Sequence, residues 1–71
     1  MLRNRLRDLR EDSDLLQKDI ADILNCSQVC YSYYENGLRD IPTQVLITLS
    51  SYYNVSIDYI LLQTDNPQRN K

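Results

Sequence analysis

Seventy-one residues, 42% of them hydrophobic and 25% charged, make one domain with one core. A single glycine and two prolines leave little room for tight hairpins, so an all-α fold is expected. The formal charge of −2 argues against nonspecific attraction to nucleic acid, and no apolar run approaches a membrane span or the core of a signal peptide.

Charge is nevertheless uneven. Residues 1–10 carry Arg3, Arg5, Arg7 and Arg10 against Asp8 alone, a local net of +3, and the rest is acidic. Leu2, Leu6 and Leu9 recur at spacings of four and three, which predicts an amphipathic first helix over 2–11, broken by Glu11-Asp12-Ser13-Asp14. The arginines read first as a solvated helical face and only secondarily as a reinforcement for phosphate contacts.

A second helix runs from Gln17 to Leu24, with Ile20, Ala21 and Leu24 on one face. Asn25 ends it, since asparagine tolerates a left-handed backbone. Ser27 can cap a third helix to about Glu35, closed by Asn36-Gly37. Cys26, Tyr31 and Tyr34 fall inward, leaving Ser27, Gln28, Val29, Ser32 and Tyr33 outward. Glu35 sits unfavourably at a helix C-terminus and calls for a cation: Arg10 first, Arg39 next.

Pro42 suits the first turn of a fourth helix with the stripe Val45, Leu46, Leu49, Tyr52 and Tyr53. Ser56 caps a fifth, with Ile57, Ile60 and Leu61 inward. The domain is thus 1–63, followed by a polar, flexible tail at 64–71; the opening Met1 argues for a complete chain, with one domain cut from a longer protein as the alternative.

Chemistry is sparse. Cys26 and Cys30 lie one turn apart, but without histidine they cannot complete a four-ligand zinc site, so they read as reduced structural thiols with no metal and no cofactor. There is no phosphate loop and no nucleophile beside an evident base, which excludes an enzyme. Tyr31, Tyr34, Tyr52 and Tyr59 fall at apolar-face spacings and read as core; Tyr33 alone reads as functional.

The strings RLRDLRED, QKDIADILNCS, YENG followed by RDIP, and YYNVSIDYIL together resemble the Xre-type family of phage repressor and Cro-like regulators, from Leu2 to Leu62. The resemblance implies a five-helix, lambda-repressor-like all-α domain whose second and third helices form a helix-turn-helix. It implies a cytoplasmic transcriptional regulator, a repressor in this reading, that binds a palindromic operator in double-stranded DNA as a homodimer, without an evident small-molecule effector. The last two helices, through Tyr52, Tyr59 and Leu62, are the expected dimer contact.

Carried over position by position, the resemblance puts Gln17 against phosphate and Gln28, Val29 and Tyr33 nearest base edges. Gln28 can pair bidentately with adenine. Lys18, Ser27, Ser32 and Arg39 complete the expected DNA face. Three positions depart from the family pattern: Leu16 replaces a Ser or Thr cap, Leu38 a basic residue and Tyr33 a polar one. The stretch 17–39 has a net charge of −1. The competing reading is a helix-turn-helix scaffold that holds a protein partner through Ile23, Tyr33 and Leu38.

Overall fold

The computed structural model describes residues 4–68, so the expectations for Leu2, Arg3 and the last three residues lie outside the described part. It contains five helices: α1 Leu6–Asp12, α2 Gln17–Leu24, α3 Gln28–Glu35, α4 Thr43–Tyr53 and α5 Ile57–Ile60. No strand occurs among the described residues. The helices enclose one core built on Leu6, Ile20, Ala21, Tyr31, Tyr34, Leu49, Val55 and Ile60. Complete burial of an aliphatic side chain such as Leu6, Ile20, Leu49 or Ile60 contributes about 1.5–3 kcal/mol.

Every helix ends in the same way. After α1 to α5 the chain passes through Asp14, Asn25, Gly37, Asn54 and Leu62, each with φ between 56° and 71°. At each of these points the residue after the left-handed one donates its N–H back to the helix, as in Cys26 to the Ala21 carbonyl (3.0 Å) and Leu38 to the Tyr33 carbonyl (2.9 Å). The left-handed residue itself donates one turn back, Asn25 to Asp22 (3.2 Å) and Gly37 to Tyr34 (3.2 Å). This pairing is the Schellman motif, and it satisfies carbonyls that the helix leaves open. Only one of the five closures uses glycine.

The helix starts are less uniform. Ser27 and Ser56 accept the N–H groups of Cys30 and Tyr59, both at 3.0 Å, which satisfies first-turn donors of α3 and α5. Leu16 offers α2 no side-chain oxygen, and only the return half of a capping box is formed, with the Asp19 carboxylate accepting the Leu16 N–H at 2.8 Å.

Three expectations need correction. Helix α1 starts at Leu6 rather than residue 2. The Arg5 N–H donates to the Ile60 carbonyl (2.8 Å) and ties the helix start to α5, while Asn4 Oδ1 accepts the Leu6 N–H (3.0 Å) and the Asn4 amide donates to the Tyr34 carbonyl of α3 (2.8 Å), so neither residue extends the helix. Pro42 precedes the first turn of α4 with ψ 147°, and its carbonyl accepts the Leu46 N–H at 3.1 Å. Tyr52 is 48% exposed rather than core and meets Tyr53 edge-on, with ring centroids 5.1 Å apart.

The segment read as a polar tail has no helix through residue 68, yet it returns to the domain. The Pro67 carbonyl accepts the Ser56 N–H at 2.9 Å, and Asp65 pairs with Arg5 at 2.8 Å.

Candidate nucleic-acid interface

The turn between α2 and α3 fixes the angle of the outward helix. Asn25 reverses the chain at φ 56°, Ser27 restarts it with an extended backbone, and buried Ala21 is small enough for the two helices to approach closely. Tyr31, Tyr34 and Glu35 anchor the inner face of α3 in the protein. Its outer face carries two ridges at i, i+4 spacing: polar Gln28 and Ser32, and apolar Val29 and Tyr33.

A shallow cleft of about 350 Å³ lies where α3 faces α2 and is lined by Gln17, Gln28, Val29 and Ser32. The structure therefore gathers four of the eight expected contact residues around one recess. Ser27 is exposed beside it with its hydroxyl engaged as the α3 cap. Lys18 is exposed and makes no ion pair among the described residues. Tyr33 and Arg39 stand together on the other ridge, the Arg39 guanidinium 5.0 Å from the ring centroid.

Beneath this face lies a polar cluster. Arg10 forks onto Glu35 through Nε and a terminal nitrogen, both at 2.9 Å, and donates to the Leu15 carbonyl at 2.9 Å. Gln17 donates one amide N–H to Glu35 Oε1 at 3.3 Å, so one of its two amide hydrogens is committed inside the protein and the other, with the carbonyl, remains for the cleft. Arg7 approaches Glu35 at 3.9 Å and pairs with Glu11 at 3.0 Å.

The carboxylate is almost completely covered, its side chain 1% exposed. Burial pushes the Glu35 pKa up, but the Arg10 hydrogen bonds, with Tyr31 and Gln17 beside the carboxylate, outweigh it and hold the group below its ordinary value. The same contact raises the Arg10 pKa. Burial, with Glu35 behind it, lifts the Tyr31 phenol far above its usual range. Burial also pushes Tyr53 up to about 12.

Two arginines of the basic first segment, Arg5 and Arg10, are thus engaged internally. Arg5 donates to the Tyr59 carbonyl (2.9 Å), pairs with Asp65 and stacks 4.3 Å over the Tyr59 ring. Arg10 is committed to Glu35. Of the arginines read as a possible phosphate reinforcement, Arg5 and Arg10 hold the fold together instead. The Arg10–Glu35 pair is the one expected from the charge of Glu35 at the C-terminus of α3; the role of Arg5 was not visible in the sequence, because its partner Tyr59 lies 54 residues away.

No group of three or more cysteine, aspartate or glutamate side chains that could hold a metal ion occurs among the described residues. Cys30 Sγ lies 3.4 Å from the Tyr34 hydroxyl, which lowers the thiol pKa, whereas burial raises that of Cys26. Among the described residues, no helix is long and apolar enough to cross a membrane.

Comparison with known proteins agrees with this geometry. A helix-turn-helix family model matches residues 6–60. The chain is 37% identical over 70 residues to the HTH-type transcriptional regulator ImmR of Bacillus subtilis, covering 99% of this chain and 55% of that protein. It is 36% identical over 63 residues to the uncharacterized HTH-type transcriptional regulator YobD of the same organism, covering 89% and 56%. A third regulator, YqaE, also uncharacterized and from the same organism, is 33% identical over 66 residues, covering 93% and 57%. The chain spans a little over half the length of these relatives.

Proposed function

Because the chain belongs to the Cro/C1-type helix-turn-helix family of transcriptional regulators, which are DNA-binding proteins and not enzymes, we propose that it acts as a cytoplasmic repressor reading a palindromic operator through α3. The observation that carries this reading is the cleft of Gln17, Gln28, Val29 and Ser32 along the outer face of α3. An α-helix enters the major groove, and a glutamine at its start can pair with both N6 and N7 of adenine. Gln28 is that residue. Gln17, Ser27 and Ser32 supply amide and hydroxyl contacts to phosphate, and Lys18 and Arg39 supply charge.

The longest dimension of the domain is 30 Å, shorter than the roughly 34 Å between successive major grooves on one face of a duplex. Two copies related by a two-fold axis meet both grooves. Ile47 and Tyr52 on α4, with Leu62 after α5, supply exposed apolar surface for the contact, whereas Tyr59 is half-buried beneath Arg5.

Selection from a random duplex pool tests the reading, with an enriched palindrome expected. Gln28→Ala then weakens specific binding by about 1–3 kcal/mol and leaves nonspecific affinity nearly unchanged. With Lys18 and Arg39 as the cations of each copy, the salt slope of the dimer is about −4. If no duplex binds better than micromolar at low salt, the reading fails. The exposed Leu16 (68%) and Leu38 (62%) favour a second reading, a protein-binding scaffold, in that event.

A further inference from the structure

The two ridges of α3 differ in chemistry: Gln28 and Ser32 present an amide and a hydroxyl, whereas Val29 and Tyr33 present an aliphatic side chain and an aromatic ring that ends in one hydroxyl. Val29 and Tyr33 stand one turn apart on the other, 60% and 37% exposed, with no apolar cover among the described residues. An exposed valine and tyrosine on a helix that enters the major groove meet one apolar feature there, the C5-methyl of thymine. Val29 also lines the cleft beside Gln28, so the apolar ridge continues the polar one instead of standing apart from it.

The Tyr33 ring is held in place. The Schellman closure at Gly37 returns the Leu38 N–H to the Tyr33 carbonyl at 2.9 Å, and the next residue, Arg39, lays its guanidinium 5.0 Å from the ring centroid. Such a cation–ring contact at an exposed site is weak but directional, and it limits the rotamers open to the ring. We propose that Val29 and Tyr33 form a thymine-methyl reader, and that Arg39 is a positioning residue that holds the Tyr33 ring against it as well as a phosphate contact. The proposal rests on the DNA-binding reading and names the base chemistry that the apolar part of α3 recognises.

The test uses the best duplex from random selection and versions in which each thymine in turn is replaced by deoxyuridine, which removes the methyl and nothing else. Wild type is expected to weaken about fourfold at one or more thymines in each half-site, the effect of withdrawing one buried methylene-sized group. Tyr33→Ala should bind the thymine and deoxyuridine duplexes equally at that position, and Tyr33→Phe should keep the discrimination. Arg39→Lys retains the charge but not the flat stacking group, so it should keep the salt slope and lose about half of the discrimination on a logarithmic scale. Both residues are exposed, and thermal melting of each variant checks that it remains folded. If every deoxyuridine duplex binds within a factor of 1.5, a margin of about 0.2 kcal/mol, the methyl reader is excluded while DNA binding stands. If Arg39→Lys leaves the thymine to deoxyuridine ratio unchanged, Arg39 only contacts phosphate. The absence of any enriched duplex overturns both this proposal and the function on which it rests.

Discussion

Arg10 of α1 and Glu35 of α3 form a two-pronged ion pair, with both hydrogen bonds at 2.9 Å, beneath the face that α3 turns outward. Gln17 of α2 joins the same carboxylate at 3.3 Å, so one buried acid fixes three helices relative to one another. The position of the outward helix therefore depends on a charge that is itself hidden.

Removing the cation alone should be severe. Arg10→Met leaves Glu35 buried without its partner and is expected to lower stability by about 3–5 kcal/mol in urea denaturation at pH 7. The double variant Arg10→Met with Glu35→Leu should recover most of that loss. The pH dependence follows from the lowered Glu35 pKa. Its contribution is complete above the unfolded value near 4.3 and is lost as pH falls through the lower folded value. Wild type should thus lose more stability than the double variant between about pH 5 and 3; parallel curves would show that the pair makes no net contribution.

Leu16 marks a cap that the sequence lacks. Its backbone is already extended, with φ −88° and ψ 158°, and its side chain is exposed, so a hydroxyl residue fits without rearrangement. Leu16→Thr should raise stability by about 1 kcal/mol by accepting a first-turn N–H of α2. Its added oxygen also lies at the helix N-terminus, where a phosphate is favoured, so operator affinity should rise slightly. Chemical denaturation and duplex titration of the same preparation check both expectations.

The left-handed closures give a paired prediction. Asn25→Ala, at φ 56°, should cost about 1 kcal/mol and loosen the turn between α2 and α3. Leu62, at φ 63°, carries a branched side chain where glycine is usual, and Leu62→Gly should stabilise by about 1 kcal/mol. Thermal melts of the two variants should move in opposite directions.

Tyr53 has a buried hydroxyl with no hydrogen-bond partner among the described residues. Tyr53→Phe removes such a group and should be neutral or stabilising by up to about 1 kcal/mol at pH 7. The Tyr53 phenol titrates near 12 in the folded chain, against an ordinary value of 10. A raised folded pKa gives a contribution that is complete below about pH 10 and lost as pH rises through 12. Tyr53→Phe should therefore move the alkaline unfolding midpoint upward, followed by far-ultraviolet circular dichroism.

The local grammar of the fold was legible in the sequence: the bounds of α2 and α3, the Ser27 cap, the left-handed Asn25 and the stop at Gly37 all come from interactions within a few residues. The outward set on α3 follows from helical period alone, as does the inward set of Tyr31 and Tyr34. Family membership was legible for the same reason, since its motifs are runs of local structure. What only the tertiary structure decided depends on residues far apart in the chain. Arg5 could continue a helix by its propensity, but α5 captures its N–H and guanidinium, so α1 begins later. Tyr52 shares the spacing of core residues, yet the core is filled by Leu49 and Val55 before it is reached. Gln17 is divided between cleft and carboxylate because Glu35 comes to rest beside it, and Arg39 reaches Tyr33 because the chain reverses at Gly37. Periodicity assigns a side chain to a face, but its partner there is set by which distant element packs against that face.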